Sequence, residues 1–364
     1  MKIIHCADLH LDSKMNANLS ADKAKERKAE LLNTFVRMLE YASEYDVEAV
    51  LIAGDMFDTK NISATTKNTI LSNIKKYSHI NFYYLKGNHD FDNFLSGVEV
   101  VPENLKLFSS SWRSYEEGDV VITGLELSKD NNATSVMSLM LDPDKFNIVM
   151  LHGQESMTDL KDNAEVINIK GLKGKFIDYL ALGHIHSYKE DKIDARGTYC
   201  YPGCLEGRGF DECGEHGFVL LDIDAENRTY THKFVPFAYR KIYTVSVDVS
   251  GANTSDEMIG KIDEVISGMD ISNDSLVKIV LTGDVDVECE KDMEYILSKY
   301  RMKYYFAKIY DETHLLINVE DFLLDESLKG EFVRQVMGDD SISDEDKKRI
   351  IRYGLEALNG EEVL

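Results

Sequence analysis

Five short apolar runs, each rich in β-branched residues and each ending in a polar cluster, limit what this chain can fold into. Residues 2–6, 47–53, 80–85, 146–151 and 178–182 read as buried strands. They lead into Asp8-Leu9-His10, Gly54-Asp55-Met56-Phe57-Asp58, Gly87-Asn88-His89-Asp90, His152-Gly153 and Gly183-His184-Ile185-His186. Residues 20–46 and 64–77 carry helical periodicity between the first three runs. In open α/β sheets the carboxyl ends of the strands are where ligands bind. Five polar segments at such ends can converge on one crevice.

Taken singly, the segments are ambiguous. A lone D-x-H fits a surface histidine beside a capping aspartate, and G-D-x-x-D and G-N-H-D fit turn chemistry. G-H-x-H is the least turn-like, because two imidazoles at i and i+2 after a strand suit a metal pair. Together they supply ligands for two ions. Carboxylate and amide oxygens mixed with imidazole nitrogens suit Mn²⁺, Fe or Zn²⁺, and a carboxylate can bridge a pair. A phosphodiester anion resists attack by hydroxide. Two cations about 3.5–4 Å apart neutralise it, generate a nucleophile near neutral pH and hold the attacking and leaving oxygens in line. Asp90 is placed to orient the His89 imidazole, with a turn cap as the alternative. His5, His79, His216, His232 and His314 have no partner pattern and read as ordinary strand or surface histidines.

The order D-x-H, G-D-x-x-D, G-N-H-D, H-G, G-H-x-H resembles the calcineurin-like metallophosphoesterase superfamily. Within it, His5-Cys6-Ala7-Asp8-Leu9-His10-Leu11-Asp12 and Tyr201-Pro202-Gly203-Cys204-Leu205-Glu206 are similar to the SbcD-type DNA repair exonucleases. The resemblance covers residues 1–240 strongly and the remainder only by domain order. It implies an α/β (α+β) fold, a four-layer sandwich of two mixed β-sheets flanked by helices, with a dinuclear Mn²⁺ site. By motif, Asp8, His10 and His186 hold the first ion, Asp55 bridges both, and Asn88, His152 and His184 hold the second. His89 contacts the scissile phosphate and helps the leaving oxygen. Asp58 departs from the pattern, since archaeal and eukaryotic relatives often carry histidine there while bacterial members commonly have aspartate. It is therefore left out of the direct chemistry.

Composition bounds the rest. At 364 residues, with 43% hydrophobic residues and only 4 prolines, the chain predicts two or three folded domains. No apolar run approaches the roughly 18 residues that a membrane span needs, and no signal peptide is apparent. Five cysteines form no disulfide framework, and Cys200, Cys204 and Cys213 lack a C-x-x-C pair, so a cytoplasmic protein is expected. The net charge of −24 is awkward for a protein acting on a polyanion. Residues 23–28 and Lys347-Lys348-Arg349 are the main basic pieces, and they read as solvated helix faces. Affinity for nucleic acid normally rests on Lys and Arg at phosphates. Either metals focus positive charge, a partner supplies the DNA-binding surface, or the substrate is not DNA.

The expected organisation is a nuclease domain over residues 1–240, a capping module over 241–320 and a helical tail over 321–364. The module reads strand, helix, strand, helix, strand, with Thr254-Ser255-Asp256-Glu257 as a capping box. The tail carries two amphipathic helices, at about residues 325–337 and from about residue 343 to near Gly360. Their apolar stripe is Phe332, Val333, Val336, Ile351, Leu355 and Leu358. Two such helices are too short to bury a core alone, so they are expected to pack on the module or dock on a partner. In the resembling family this region binds an SMC-like coiled-coil ATPase of the SbcC type, and a homodimer is a further association. The combined reading is a metal-dependent exonuclease acting at DNA ends in DNA repair, as the nuclease subunit of that complex. A phosphoesterase for nucleotides or cyclic nucleotides is the first alternative, and a non-catalytic scaffold for an ATPase is the second.

Overall fold

The computed structural model describes residues 1–15, 19–91, 94–157, 165–286, 289–316, 322 and 324–358. Each of the five apolar runs is a strand within two residues of its expected ends. Strands β1 (Lys2–Cys6), β2 (Ala49–Ala53), β3 (Asn81–Leu85) and β4 (Leu105–Leu107) lie parallel, with α1 (Ala21–Glu44) and α2 (Ala64–Lys76) as crossovers between the first three. A second sheet is built on β5 (Arg113–Glu117), β6 (Val120–Gly124) and β7 (Phe146–His152). Helix α3 (Asn132–Ser138) precedes β7, and a small pair, β8 (Gln154–Ser156) and β9 (Val166–Asn168), follows it with α4 (Ile169–Leu172). Strands β10 (Tyr179–Gly183), β11 (Lys189–Lys192) and β12 (Thr198–Tyr201) complete the second sheet in the order β11-β12-β10-β7-β6-β5. Antiparallel β13 (Gly217–Asp224) and β14 (Thr229–Pro236) return to the first, giving β14-β13-β1-β2-β3-β4.

Strand alternation sorts the side chains into layers. Ile3, Leu51 and Tyr83 turn toward the second sheet and pack with Ile122, Ile148, Met150 and Tyr179. Their neighbours Ile4, Val50, Ile52 and Phe82 turn outward, beneath Leu31, Phe35, Met38 and Leu39 of α1. On the far side Val149, Leu180 and Leu182 pack with Leu172 of α4. Full burial of each such side chain contributes about 1.5–3 kcal/mol. The result is helix, sheet, sheet, helix: two mixed sheets flanked by helices.

The basic pieces are not simply solvated. Arg27 is fully buried. It donates to Glu30, to Glu206 at 3.2 Å and to the Gly207 carbonyl at 2.7 Å. Thr34 and the backbone N–H groups of Tyr239 and Arg240 also reach the Glu206 carboxylate, at 3.0, 2.6 and 3.1 Å, and Arg240 returns to Glu30 at 2.6 Å. Buried charges persist only when paired and hydrogen-bonded. This network fastens α1 to the segment that follows β12. Lys347 is likewise buried, its ammonium on the Met337 carbonyl at 2.9 Å. No helix among the described residues is long and apolar enough to cross a membrane.

The chain divides into two compact units, Met1–Ile242 and Tyr243–Leu364. In the second, β15 (Ile242–Asp248), β16 (Leu276–Thr282) and β18 (Phe306–Asp311) form a three-stranded sheet, with β17 (Asp284–Asp286) and β19 (His314–Leu316) paired separately. Helices α5 (Ser255–Ser267) and α6 (Met293–Lys303) pack Met258, Ile262, Ile296 and Tyr300 on the sheet's apolar face. Thr254 accepts the Glu257 N–H at 3.3 Å, while the Glu257 carboxylate accepts the Asn253 N–H at 2.7 Å. The Thr254 end satisfies a first-turn donor, and the Glu257 end holds the residue before the N-cap.

The tail corrects an expectation. Helices α7 (Leu328–Met337) and α8 (Asp344–Leu358) lay their stripes against each other, so Val333, Ile351 and Leu355 are essentially inaccessible in a small core with Phe322 and Val336. The stripe offered as a docking surface is therefore largely consumed within the pair, with Leu358 alone of its members exposed beside Leu324, Leu328, Met337, Ile350 and Tyr353. The expected end near Gly360 lies outside the described residues. Leu355→Ala should cost about 2–5 kcal/mol locally. Amide exchange in α7 and α8 should accelerate accordingly; unchanged exchange there would contradict this packing.

Candidate metal centre

Parallel strands bring their carboxyl ends to one edge, and the loops leaving those ends are held in strained backbone. Asp8, His10, Asp55 and His184 have φ of 51°, 44°, 50° and 107°, four of the nine positive-φ residues other than glycine among the described residues. Such conformations cost on the order of 1–3 kcal/mol each and persist where surroundings enforce them. Here the β1 and β2 loops zip together, Asp8 N–H to Gly54 O at 3.1 Å and His10 N–H to Asp55 O at 3.0 Å. The β10 loop hangs from the same point, since the His184 N–H donates to both Asp8 oxygens at 2.9 and 3.0 Å. Glycine is required where the two sheets meet. A Cβ on Gly183 would stand 2.0 Å from the Ala53 carbonyl oxygen, and one on Gly54, at φ +92°, would strike the His152 ring.

The side chains converge tightly. Asp8, His10 and His186 can offer donor atoms within 4.8 Å of one another, and so can Asp8, Asp55 and His152. Asp55 Oδ2 lies 3.9 Å from His10 Nε2 and 3.3 Å from His152 Nε2. Asn88 Oδ1 lies 2.9 Å from His152 Nε2 and 3.4 Å from His184 Nδ1. His10 Nε2 and His186 Nε2 face each other at 3.2 Å. Two of the rings are tethered by their other nitrogen: His152 Nδ1 donates to the Ala53 carbonyl at 3.0 Å, and His186 Nδ1 to Glu212 at 2.8 Å. Anchoring one imidazole nitrogen so that the other aims its lone pair inward is how metal-binding histidines are oriented. Four imidazoles, two carboxylates and one amide oxygen in this arrangement fit two divalent cations.

Electrostatics agrees with that fit. Burial pushes the Asp8 carboxyl up to about 7, with the charge of Asp55 adding to it. Burial also pushes Asp55 up, but its hydrogen bond and charge interaction with His152 outweigh this and hold it low, while Asp55 raises His152 against desolvation. Two buried carboxylates side by side are costly without a compensating cation.

His89 is half exposed, and its N–H donates to Asp55 Oδ1 at 2.8 Å, fixing the carboxylate from behind. Its ring is oriented by Asp58, whose Oδ1 lies 3.0 Å from His89 Nδ1. The assignment of Asp90 to that task is corrected. Its carboxylate accepts the backbone N–H groups of Gly87, Met56 and Phe57 at 3.0, 3.2 and 2.9 Å, so it caps the β2 and β3 loops, and burial raises it to about 6. Sequence adjacency favoured Asp90; the partner that reaches the ring comes from another loop. Glu212 was also missed, although it sits in a glycine-punctuated charged stretch, Glu206-Gly207-Arg208-Gly209-Phe210-Asp211-Glu212, that could have drawn notice. His5 is a core histidine, on the Tyr179 hydroxyl at 2.9 Å and pushed by burial to about 3. None of the five cysteines is in a disulfide.

Residues 1–188, more than half of the chain, match the family model described as calcineurin-like phosphoesterase. A Bacillus subtilis (strain 168) protein named uncharacterized metallophosphoesterase YhaO is 26% identical over 305 residues, covering 78% of this chain and 72% of that protein. The DNA double-strand break repair protein Mre11 of Methanosarcina mazei is 24% identical over 317 residues, covering 82% of this chain but 48% of the relative. The chain thus spans about half the length of that relative. The Mre11 protein of Sulfurisphaera tokodaii is 24% identical over 266 residues, covering 68% and 66%. Among solved structures, TT1561 of Thermus thermophilus gives a TM-score of 0.42 at 11% identity, covering 64% of this chain and 98% of that one.

Metal binding should be visible as stability. Mn²⁺ at a hundred times its dissociation constant should stabilise the fold by about 2.7 kcal/mol, and chelator should reverse it. The gain should shrink as pH falls toward 5, because the imidazoles must be neutral to bind. A melting temperature indifferent to Mn²⁺ at pH 8 would refute the fit.

Proposed function

The chain belongs to the calcineurin-like phosphoesterase family, metal-dependent phosphoester hydrolases, and on that premise we propose that it is a DNA nuclease using two divalent ions. The observation that carries this reading is the convergence of seven donor groups, with His152 and His186 held by their outer ring nitrogens and Asp8 by the His184 N–H. In it, Asp8, His10 and His186 hold one ion, Asn88, His152 and His184 the other, and Asp55 spans both. Bound there, the ions supply charge neutralisation for a phosphodiester and a nucleophile at neutral pH. Mn²⁺ is proposed on the mixed oxygen and nitrogen donors.

The residues' own part is positioning and proton transfer. The Asp55 carboxylate is pinned by the His89 N–H at 2.8 Å, so bridging ligand and phosphate contact move as one piece. With Nδ1 directed to Asp58, His89 has Nε2 available to hold a proton for the leaving oxygen.

DNA as substrate is supported by the relatives named for double-strand break repair. Against it stands the net charge of −24, which favours a second reading, hydrolysis of nucleotides or other small phosphoesters. We propose that an SMC-like coiled-coil ATPase supplies the basic surface this chain lacks, meeting the exposed side chains of the tail. Residues 241–320 are proposed as the module that shapes which DNA ends enter, and the cytoplasm as the location.

End-labelled linear DNA, with and without Mn²⁺, beside a panel of nucleotide phosphoesters tests the reading. Mn²⁺-dependent shortening of DNA is expected, and turnover of the small esters alone would favour the second reading. Asp55→Asn should lose at least one ion and nearly all turnover while keeping the fold. Two bound ions with full turnover in that variant would remove Asp55 from the bridge. His89→Ala should keep both ions yet slow the chemical step by roughly 10²–10⁴-fold; loss of metal instead would make His89 a ligand.

A further inference from the structure

After β12 the chain turns through Gly203, at φ +76°, and runs back along the His10 and His186 side of the centre. Cys204 N–H bonds to the His186 carbonyl at 3.2 Å, which sets the start of this segment against a ligand loop. The buried Glu206, held by Arg27 and by the backbone of Tyr239 and Arg240, fixes its next turn. The guanidinium that follows is mostly buried, with a side chain 19% exposed. We propose that Arg208 is the positioning residue that sets a metal ligand and the phosphate-contacting histidine together. The proposal rests on the phosphoesterase reading of the site.

Its geometry is that of a clamp. Nη2 lies 2.6 Å from Glu212 Oε1, and Nε lies 3.1 and 3.4 Å from Oε1 and Oε2 of the same carboxylate. The backbone N–H of Arg208 reaches Oε2 at 2.7 Å. Held by both, Glu212 accepts His186 Nδ1–H at 2.8 Å on the oxygen that also takes Nη2, and the two donors lie 3.3 Å apart. Nη1 faces the opposite way, 3.6 Å from Asp58 Oδ2. Asp58 is further fixed by the Ser13 hydroxyl at 2.9 Å, and its other oxygen stands 3.0 Å from His89 Nδ1 and 3.7 Å from His10 Nδ1. One planar cation thus bridges two carboxylates, each aiming an imidazole into the site. A lysine carries the charge but not the rigid fork that engages Glu212 through two donors while its third nitrogen pairs with Asp58 as an ion pair at 3.6 Å.

The test uses Arg208→Gln and Arg208→Lys in the full chain, with Mn²⁺ binding followed by electron paramagnetic resonance and turnover by hydrolysis of bis-p-nitrophenyl phosphate. Losing a group that orients ligands typically costs 10–100-fold in metal affinity or activity. Both variants should therefore show weaker binding of one Mn²⁺ and a kcat reduced by about that factor at saturating Mn²⁺, with KM little changed. Glu212→Gln should show the same pattern, and the double variant should be no worse than either single one, because the groups act as a unit. Wild-type Mn²⁺ affinity and kcat in folded Arg208→Lys would overturn the proposal, as would a variant whose only defect is a lower melting temperature. Should Arg208→Gln fail to fold, the lysine variant alone decides. If the wild-type chain binds two Mn²⁺ but hydrolyses no phosphoester, the phosphoesterase reading fails, and the Mn²⁺ titrations still decide the role of Arg208.

Discussion

Asp8 stands where the two sheets meet, and most of the site depends on what it does there. Its N–H is tied to Gly54 at the end of β2, and its carboxylate takes the His184 N–H at the end of β10. A single residue therefore locks three strand ends, from both sheets, into one arrangement. Burial and the neighbouring Asp55 charge push its carboxyl up to about 7. The fold thus concentrates anionic groups that water cannot solvate, and cations are the natural counter-charge.

Around that centre the groups sort by what they satisfy. Asp90 satisfies backbone donors of two loops, Glu212 and Ala53 hold imidazoles by their outer nitrogens, and Asp58 holds the half-exposed His89. Acceptors outside the ligand cluster, the Ala53 carbonyl and the Glu212 carboxylate, thus decide where the inner nitrogens of His152 and His186 point. The excess of acidic side chains, 65 against 41 basic ones, is partly accounted for by such work. Arg27, Arg208 and Arg240 are consumed in buried or half-buried pairs with Glu30, Glu206, Glu212 and Asp58. Those three guanidiniums are held by the fold's own carboxylates.

The tail follows the same economy with apolar side chains. Stripes on α7 and α8 that would each be a liability in water cover one another, with Val333 and Leu355 fully enclosed. What a partner would meet is the outer face, with Leu328, Ile350, Tyr353 and Leu358 among polar neighbours.

Periodicity and strand-end chemistry determined a great deal by themselves. The five runs became strands because unbroken β-branched segments can be buried only with their backbone paired, and parallel strands must deliver their ends to one edge. The residues brought together there, from Asp8 to His186, were therefore legible as one cluster before any contact was known. Tertiary structure alone decided which neighbours serve them. Asp58 orients His89 although Asp90 is adjacent in sequence, and Glu212 reaches His186 across 26 positions. Arg27 and Lys347, on faces that read as solvated, are buried because distant acceptors at Glu206 and Met337 happen to meet them. Local patterns encode the direction of the backbone and the face of an element. Hydrogen-bond partners are set by where separate loops cross, and that is a property of the packed whole.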